Sequence, residues 1–185
     1  MRVTKVFYMD LYSNQKGLLK RIDPKPFKLE KDIQALIEKN SKEIFDLQFV
    51  STEFHVDNFF LDSVFFDQEN KSFVVVEYKK TKSFSVIDQG YTYLSLMLNN
   101  KSDFILEYNE RHPKNALKKK EVDWSQSRVI FISTVFTKYQ INSVNFVDVP
   151  FELWEIKQYG NSTIGLSHII PTSKESIQSV GSSGN

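Results

Sequence analysis

The stretch Ser72–Lys79, reading SFVVVEYK, constrains this chain more than any other segment. Phe73, Val74, Val75 and Val76 follow one another without a polar interruption. β-branched and aromatic residues favour a strand, and an apolar run without alternation is the pattern of a strand covered on both faces. The run then ends in Glu77 and Lys79, two residues apart, so both side chains leave the same face. Charges at the end of a buried strand are costly unless they are paired or bind a metal. The chain therefore needs a sheet with layers on both sides, and a use for a carboxylate and an ammonium at one end of it.

The flanking sequence supplies those layers. Leu29 to Phe45 carries Ile33, Leu36, Ile37 and Ile44 at helical spacing, which predicts an amphipathic helix. Gln48 to Val56 and Asp62 to Asp67 read as strands, and Gln68 to Lys71 is a polar turn leading into the Ser72 strand. Ser85 to Leu98 is a second helix, with Asp88 three residues after Ser85 in a capping spacing. Lys101 to Tyr108 fits helix or strand equally. Arg111 to Asp123, polar and lysine-rich, reads as a loop or a short exposed helix. Arg128 to Val135, Phe151 to Gln158 and Thr163 to Ile169 are further strands, the last two joined by a turn at Tyr159 to Ser162. At the front, Val3 to Tyr12 is strand-like, Ser13 to Gly17 a turn, Leu18 to Ile22 a returning strand, and Asp23 to Pro26 a break. The expectation is an α/β domain over residues 1–170, with a mixed central sheet flanked by helices and an N-terminal β-hairpin over residues 1–22. Residues 171–185 read as a flexible polar tail.

Composition removes whole classes of chemistry. No cysteine is present, so disulfides, thiolate zinc sites and cysteine nucleophiles are all excluded. That absence fits a cytoplasmic protein. No apolar run approaches the roughly 20 residues that cross a bilayer, and the N-terminus leads into no signal-peptide pattern. The three histidines, His55, His112 and His168, show no metal-ligand spacing. Gly160 to Ser167 mimics a phosphate-binding loop, but Leu166 stands where the lysine belongs. The net charge of +1 neither favours nor excludes nucleic acid, because the distribution of charge matters more than its sum. Lysines cluster at Lys79–Lys80–Thr81–Lys82 and at Lys118–Lys119–Lys120, where a solvated loop is the plainer reading.

The chemistry gathers around Glu77. If the strands before and after Gln68–Lys71 form a hairpin, the start of one lies beside the end of the other, and Asp62 meets Glu77. Two adjacent carboxylates repel, and a hard divalent cation such as Mg2+ or Mn2+ relieves that repulsion through oxygen ligands. The backbone carbonyl of Tyr78 is a natural further ligand. Lys79 is placed to hold an attacking water or to stabilise developing negative charge. On the first helix Glu30 falls at the margin of the apolar stripe and Glu38 further round toward solvent, so Glu30 is the expected third acid. Gln89 and Tyr93 are four apart on one helical face that is able to point at the same place. The bland alternative is a Glu77–Lys79 salt bridge at an exposed strand end, with Asp62 a turn residue.

Asp62–Ser63, Val76–Glu77–Tyr78–Lys79 and Gln89–Gly90–Tyr91–Thr92–Tyr93 together resemble the signature of the PD-(D/E)xK, or restriction-endonuclease-like, nuclease superfamily. The last element looks like the Gln-x-x-x-Tyr feature of RecB-type members. Leu61 stands where the signature proline often precedes the aspartate. From Val3 to Leu166 the chain is also similar to an uncharacterised bacterial family loosely labelled predicted transport proteins. The similarity is carried by Leu29 to Asn40, the Glu77 segment, Val122–Asp123–Trp124–Ser125 and Phe136–Thr137–Lys138–Tyr139. It is similar, too, to the catalytic domain of mismatch-cleaving nucleases, in which a first-helix glutamate matches Glu30. The resemblance implies a metal-dependent nuclease acting on DNA. Asp62, Glu77, Lys79, Glu30 and Gln89 would be catalytic, Asp62, Glu77 and Tyr78 would hold the metal, and Lys80, Lys82 and Tyr93 would touch nucleic acid. The alternative is a catalytically inactive module of the same fold that binds nucleic acid or a protein partner. Cleavage of both strands of a duplex by a one-site domain suggests a homodimer, with Val6–Phe7–Tyr8 as one contact surface. No sequence feature favours a small-molecule binding protein, and the transport label finds no membrane segment to support it.

Overall fold

The structure is a computed structural model that describes residues 10–81 and 86–180. The N-terminal hairpin pairs β1 (Leu11–Gln15) with β2 (Leu18–Ile22). Its turn is shorter than the sequence suggested. Only Lys16 and Gly17 form it, both at positive φ, and the Asn14 side chain accepts from Gly17 N at 2.9 Å. Ser13 to Gln15 therefore belong to the strand, and the expected strand before Leu11 lies mostly outside the described residues. The break at Asp23 to Pro26 holds a two-residue strand, β3 (Pro24–Lys25), which pairs with Tyr159 and Gln158.

The first helix, α1 (Glu30–Phe45), starts where the Asp32 carboxylate accepts from Leu29 N at 2.9 Å. It ends at Asp46, which turns into the left-handed region at φ 55. Three antiparallel strands follow: β4 (Leu47–Val56), β5 (Phe59–Asp67) and β6 (Ser72–Lys79). The β5–β6 turn is held by Asp67, whose carboxylate accepts from Glu69 N and Asn70 N at 3.0 and 2.9 Å. This fixes the register Asp67↔Ser72 through Ser63↔Val76.

The chain then crosses over through α2 (Val86–Asn99) and α3 (Lys101–Arg111). Lys101 to Tyr108, ambiguous in sequence, is helical. The proposed Ser85 cap lies outside the described residues. Strand β7 (Arg128–Ser133) lies parallel to β6, a short helix α4 (Lys138–Ser143) follows, and β8 (Phe151–Tyr159) lies parallel to β7. Thr137 and Gln140 cap α4 reciprocally, a spacing passed over in the sequence. Strand β9 (Ile164–Ile169) returns antiparallel on β8. The main sheet has seven strands in the order β3-β8-β7-β6-β5-β4, with β9 also on β8. Among the described residues, part of the polar stretch after Pro171 is hydrogen-bonded back to the domain. Asn145 accepts from Thr172 N and Ser173 N, and Asp148 accepts from Ile177 N and Gln178 N.

Strand β6 sits in the middle of this sheet, as its composition requires. Alternate residues serve two cores: Phe73 and Val75 join Phe66, Met97, Phe104 and Tyr108 on the α2–α3 side. Val74, Val76 and Tyr78 join Ile33, Ile37 and Phe65 under α1. Glu77 and Lys79 continue the first of these rows, past its apolar end.

Candidate metal centre

The centre forms where strand pairing fails. The β5–β6 register stops at Ser63↔Val76, while β6 stays paired to β7 as far as Lys79↔Ser133. The β4–β5 register passes from Thr52↔Ser63 to Phe54↔Leu61 without the pair Glu53↔Asp62, and Glu53 has φ 46. Asp62 thus loses its ladder neighbours on both sides. Its carboxylate turns into the gap and accepts from Tyr78 N at 3.0 Å.

Glu77 is almost completely buried, at 2% exposure. Lys79 Nζ pairs with its Oε1, and the Tyr93 hydroxyl donates to its Oε2 at 3.0 Å. The Asp62 and Glu77 carboxyls are close enough to act on each other's charge. Burial first, and the Glu77 charge second, push the Asp62 carboxyl up to about 7. The Tyr78 N–H and Lys79 pull the other way and only partly offset this. Burial also opposes the Lys79 charge, but the pair with Glu77 and the charges of Asp62 and Glu30 hold the ammonium above its ordinary range. Burial and Glu77 together raise the Tyr93 hydroxyl, so it stays a donor.

The sequence reading brought Asp62, Glu77 and Lys79 to one point, and they stand together. Other candidates sit differently. Glu30 is exposed, and its carboxylate accepts from Lys80 N at 2.7 Å, closing the end of β6. It acts on the centre through its charge on Lys79. Glu38 does not face solvent as expected. It accepts from Ser63 Oγ at 2.6 Å and from Gln34 Nε2 at 3.0 Å, which places that edge of α1 against β5. Tyr93 is 5% exposed and engaged with Glu77. It is therefore part of the centre's wall. Gln89 lies one turn before Tyr93 on α2, and its side-chain oxygen is buried without a hydrogen-bond partner. Lys80 is half-buried, with its ammonium on Lys28 O at 2.7 Å. Lys82 lies outside the described residues, as does the Val6–Phe7–Tyr8 surface.

Gln34, Thr52 and Ser63 escaped the sequence reading. The available signal was the spacing Gln34, Glu38, Ser41, a polar row beside Ile33 and Ile37 on the same helix. Among the described residues no group of three or more acidic or histidine side chains surrounds one point, so the centre offers two carboxylates and the main chain of β6.

No family model matches the chain. It is 46% identical over 161 residues to an uncharacterised protein of Haemophilus influenzae, covering 87% of this chain and 53% of that protein. The chain thus spans about half the length of the curated relative it matches. Two solved structures resemble it distantly. One is described as the structure of an EndoMS–dsDNA2 complex, with 14% identity, a TM-score of 0.38, and 72% of this chain and 48% of that one covered. The other is a repair endonuclease from Pyrococcus abyssi, with 16% identity, a TM-score of 0.37, and 72% and 50% covered. Likeness at this level does not speak for activity.

Proposed function

We propose that the chain carries a divalent-metal phosphodiesterase centre of the PD-(D/E)xK type and acts as a nuclease on DNA. The observation that carries this reading is the convergence of Asp62, Glu77 and Lys79 at the broken end of the β5–β6 ladder. The donor set suits Mg2+ or Mn2+. Mg2+ is commonly held by one or two carboxylates and keeps several waters, and a buried pair of mutually repelling carboxyls gains most from a cation between them. A residue's N–H and C=O leave a strand on the same edge, so the Tyr78 carbonyl faces the side on which its N–H meets Asp62. Asp62, Glu77 and that carbonyl would hold the ion. When bound, it polarises a phosphate oxygen and lowers the pKa of an attached water.

The chain's own residues divide the remaining work. Lys79, released from part of its pairing with Glu77, positions the attacking water or meets the charge that develops as the bond from phosphorus to the departing strand breaks. Tyr93 keeps Glu77 in one orientation. Glu30 fixes the main chain after Lys79, and Lys80 and Lys82 supply charge for the phosphates on either side. A specific observation favours the inactive-module alternative: the Lys79 ammonium and the Tyr93 hydroxyl already engage both oxygens of Glu77. The two readings separate on incubation of the full chain with single-stranded, duplex, nicked and mismatched DNA in Mg2+, Mn2+ or EDTA. The nuclease reading expects cleavage that EDTA and Glu77→Ala both abolish. Cleavage that survives in Glu77→Ala, or none from any substrate, contradicts it.

A further inference from the structure

We infer that Gln34 is a positioning residue for this centre, the side chain that holds Asp62 out of its ladder; the inference rests on the metal-centre reading for its functional meaning. The geometry of β5 makes the case. N–H and C=O groups alternate between the two edges of a strand. Tyr78 N–H points at β5, so Val76, two residues away, does too, and Ser63 opposite Val76 directs its main-chain groups at β6. Asp62, one residue on, must direct its own at β4, where Glu53 would be its partner. That pair is missing, and Glu53 at φ 46 bends away.

The Asp62 carbonyl is instead met by Gln34 Nε2 at 2.8 Å, reaching down from α1. Gln34 is 8% exposed. Its amide nitrogen also approaches Thr52 Oγ1 at 2.9 Å and Glu38 Oε1 at 3.0 Å. Two hydrogens thus serve three acceptors, which fastens one helix to both strands of the broken pair. Glu38 extends the same network through Ser63 Oγ to the Tyr78 hydroxyl, at 2.6 and 3.1 Å. Without Gln34, the lowest-cost way to satisfy the Asp62 carbonyl is to restore the Glu53 pair. Restoring that pair straightens β5, and the carboxylate leaves Tyr78 N and Glu77. A part-buried carbonyl left without its donor is costly, and that cost drives the rearrangement.

Gln34→Met keeps length and burial but removes the donor. Thr52→Val removes another partner of the same amide while leaving the Asp62 bond in place, so it matches the loss of a network hydrogen bond alone. Two readouts on the full chain, both taken well below the melting range, test the inference. Amide hydrogen exchange of the metal-free protein should show Tyr78 N–H at least tenfold faster in Gln34→Met than in the parent and in Thr52→Val, with Val76 unchanged. Mn2+ titration should show about 10- to 100-fold weaker binding in Gln34→Met, the range expected when support behind a ligand is removed, and parental binding in Thr52→Val. Equal Tyr78 exchange in parent and Gln34→Met overturns the inference, as does equal loss of Mn2+ affinity in both variants. A parent that takes up no Mn2+ while Tyr78 exchange still accelerates in Gln34→Met upholds the positioning and removes the metal-centre reading alone.

Discussion

Asp62 and Lys79 play opposite electrostatic parts, and each predicts a distinct pH or metal dependence. The Asp62 carboxyl is raised from 3.8 to about 7 in the fold. The folded protein therefore binds this proton more tightly than the unfolded chain. The stability it contributes is whole below pH 4 and is lost as the pH rises toward 7. Asp62→Asn keeps an acceptor for Tyr78 N and offers a donor to Glu77. In metal-free buffer it should melt above the parent at pH 8, by about 1–3 kcal/mol or roughly 2–10 °C, with the gain vanishing toward pH 4. Calorimetric melts across that range check it, and a variant less stable than the parent at pH 8 goes against the repulsion described for this pair. Lys79→Ala should lower cleavage by about 10²–10³. It should also lower the metal-free melting temperature, because Glu77 loses its ion-pair partner. Mn2+ should restore that melting temperature, since the cation takes the ammonium's place beside Glu77. If Mn2+ leaves it unrestored, Lys79 is a structural partner only.

At the scale of elements, the helix α2 positions Tyr93 and does so through close packing on the sheet. A Cβ at Gly90 would stand 2.8 Å from Phe131 Cζ and 2.9 Å from the Phe151 ring. Gly90→Ala should therefore lift α2, cost about 1–3 kcal/mol and draw Tyr93 away from Glu77. Melting and Mn2+ affinity should fall together in this variant, whereas a drop in melting alone would place Tyr93 outside the centre. The central strand was legible because Phe73 to Val76 has no polar face to give away, and the hairpin through Gln68–Lys71 then brought Asp62 to Glu77 by register alone. The role of Glu38 was not legible. Helical periodicity places a side chain to within a fraction of a turn, while Ser63, its partner, is far away in sequence. The two-residue β3 and the short α4 were too brief for periodicity to register. The face of Tyr93 was legible from helical spacing, but its bond to Glu77 was not, since burial of its hydroxyl depends on how closely Gly90 lets the helix approach.

For the molecule as a whole, seven strands and their helices present the centre at one end of the sheet, and no described helix is long and apolar enough to cross a membrane. The metal itself should stabilise the entire fold, because a ligand at 100 times its Kd contributes about 2.7 kcal/mol to folding. The central claim, that Asp62 and Glu77 form a cation site, is tested most directly by calorimetric titration of the full chain with Mn2+ at pH 8 and pH 6. Because the Asp62 proton must leave for the ion to bind, one ion per chain is predicted, with affinity about tenfold weaker at pH 6. No uptake at pH 8, or an affinity unchanged between the two, would contradict the account.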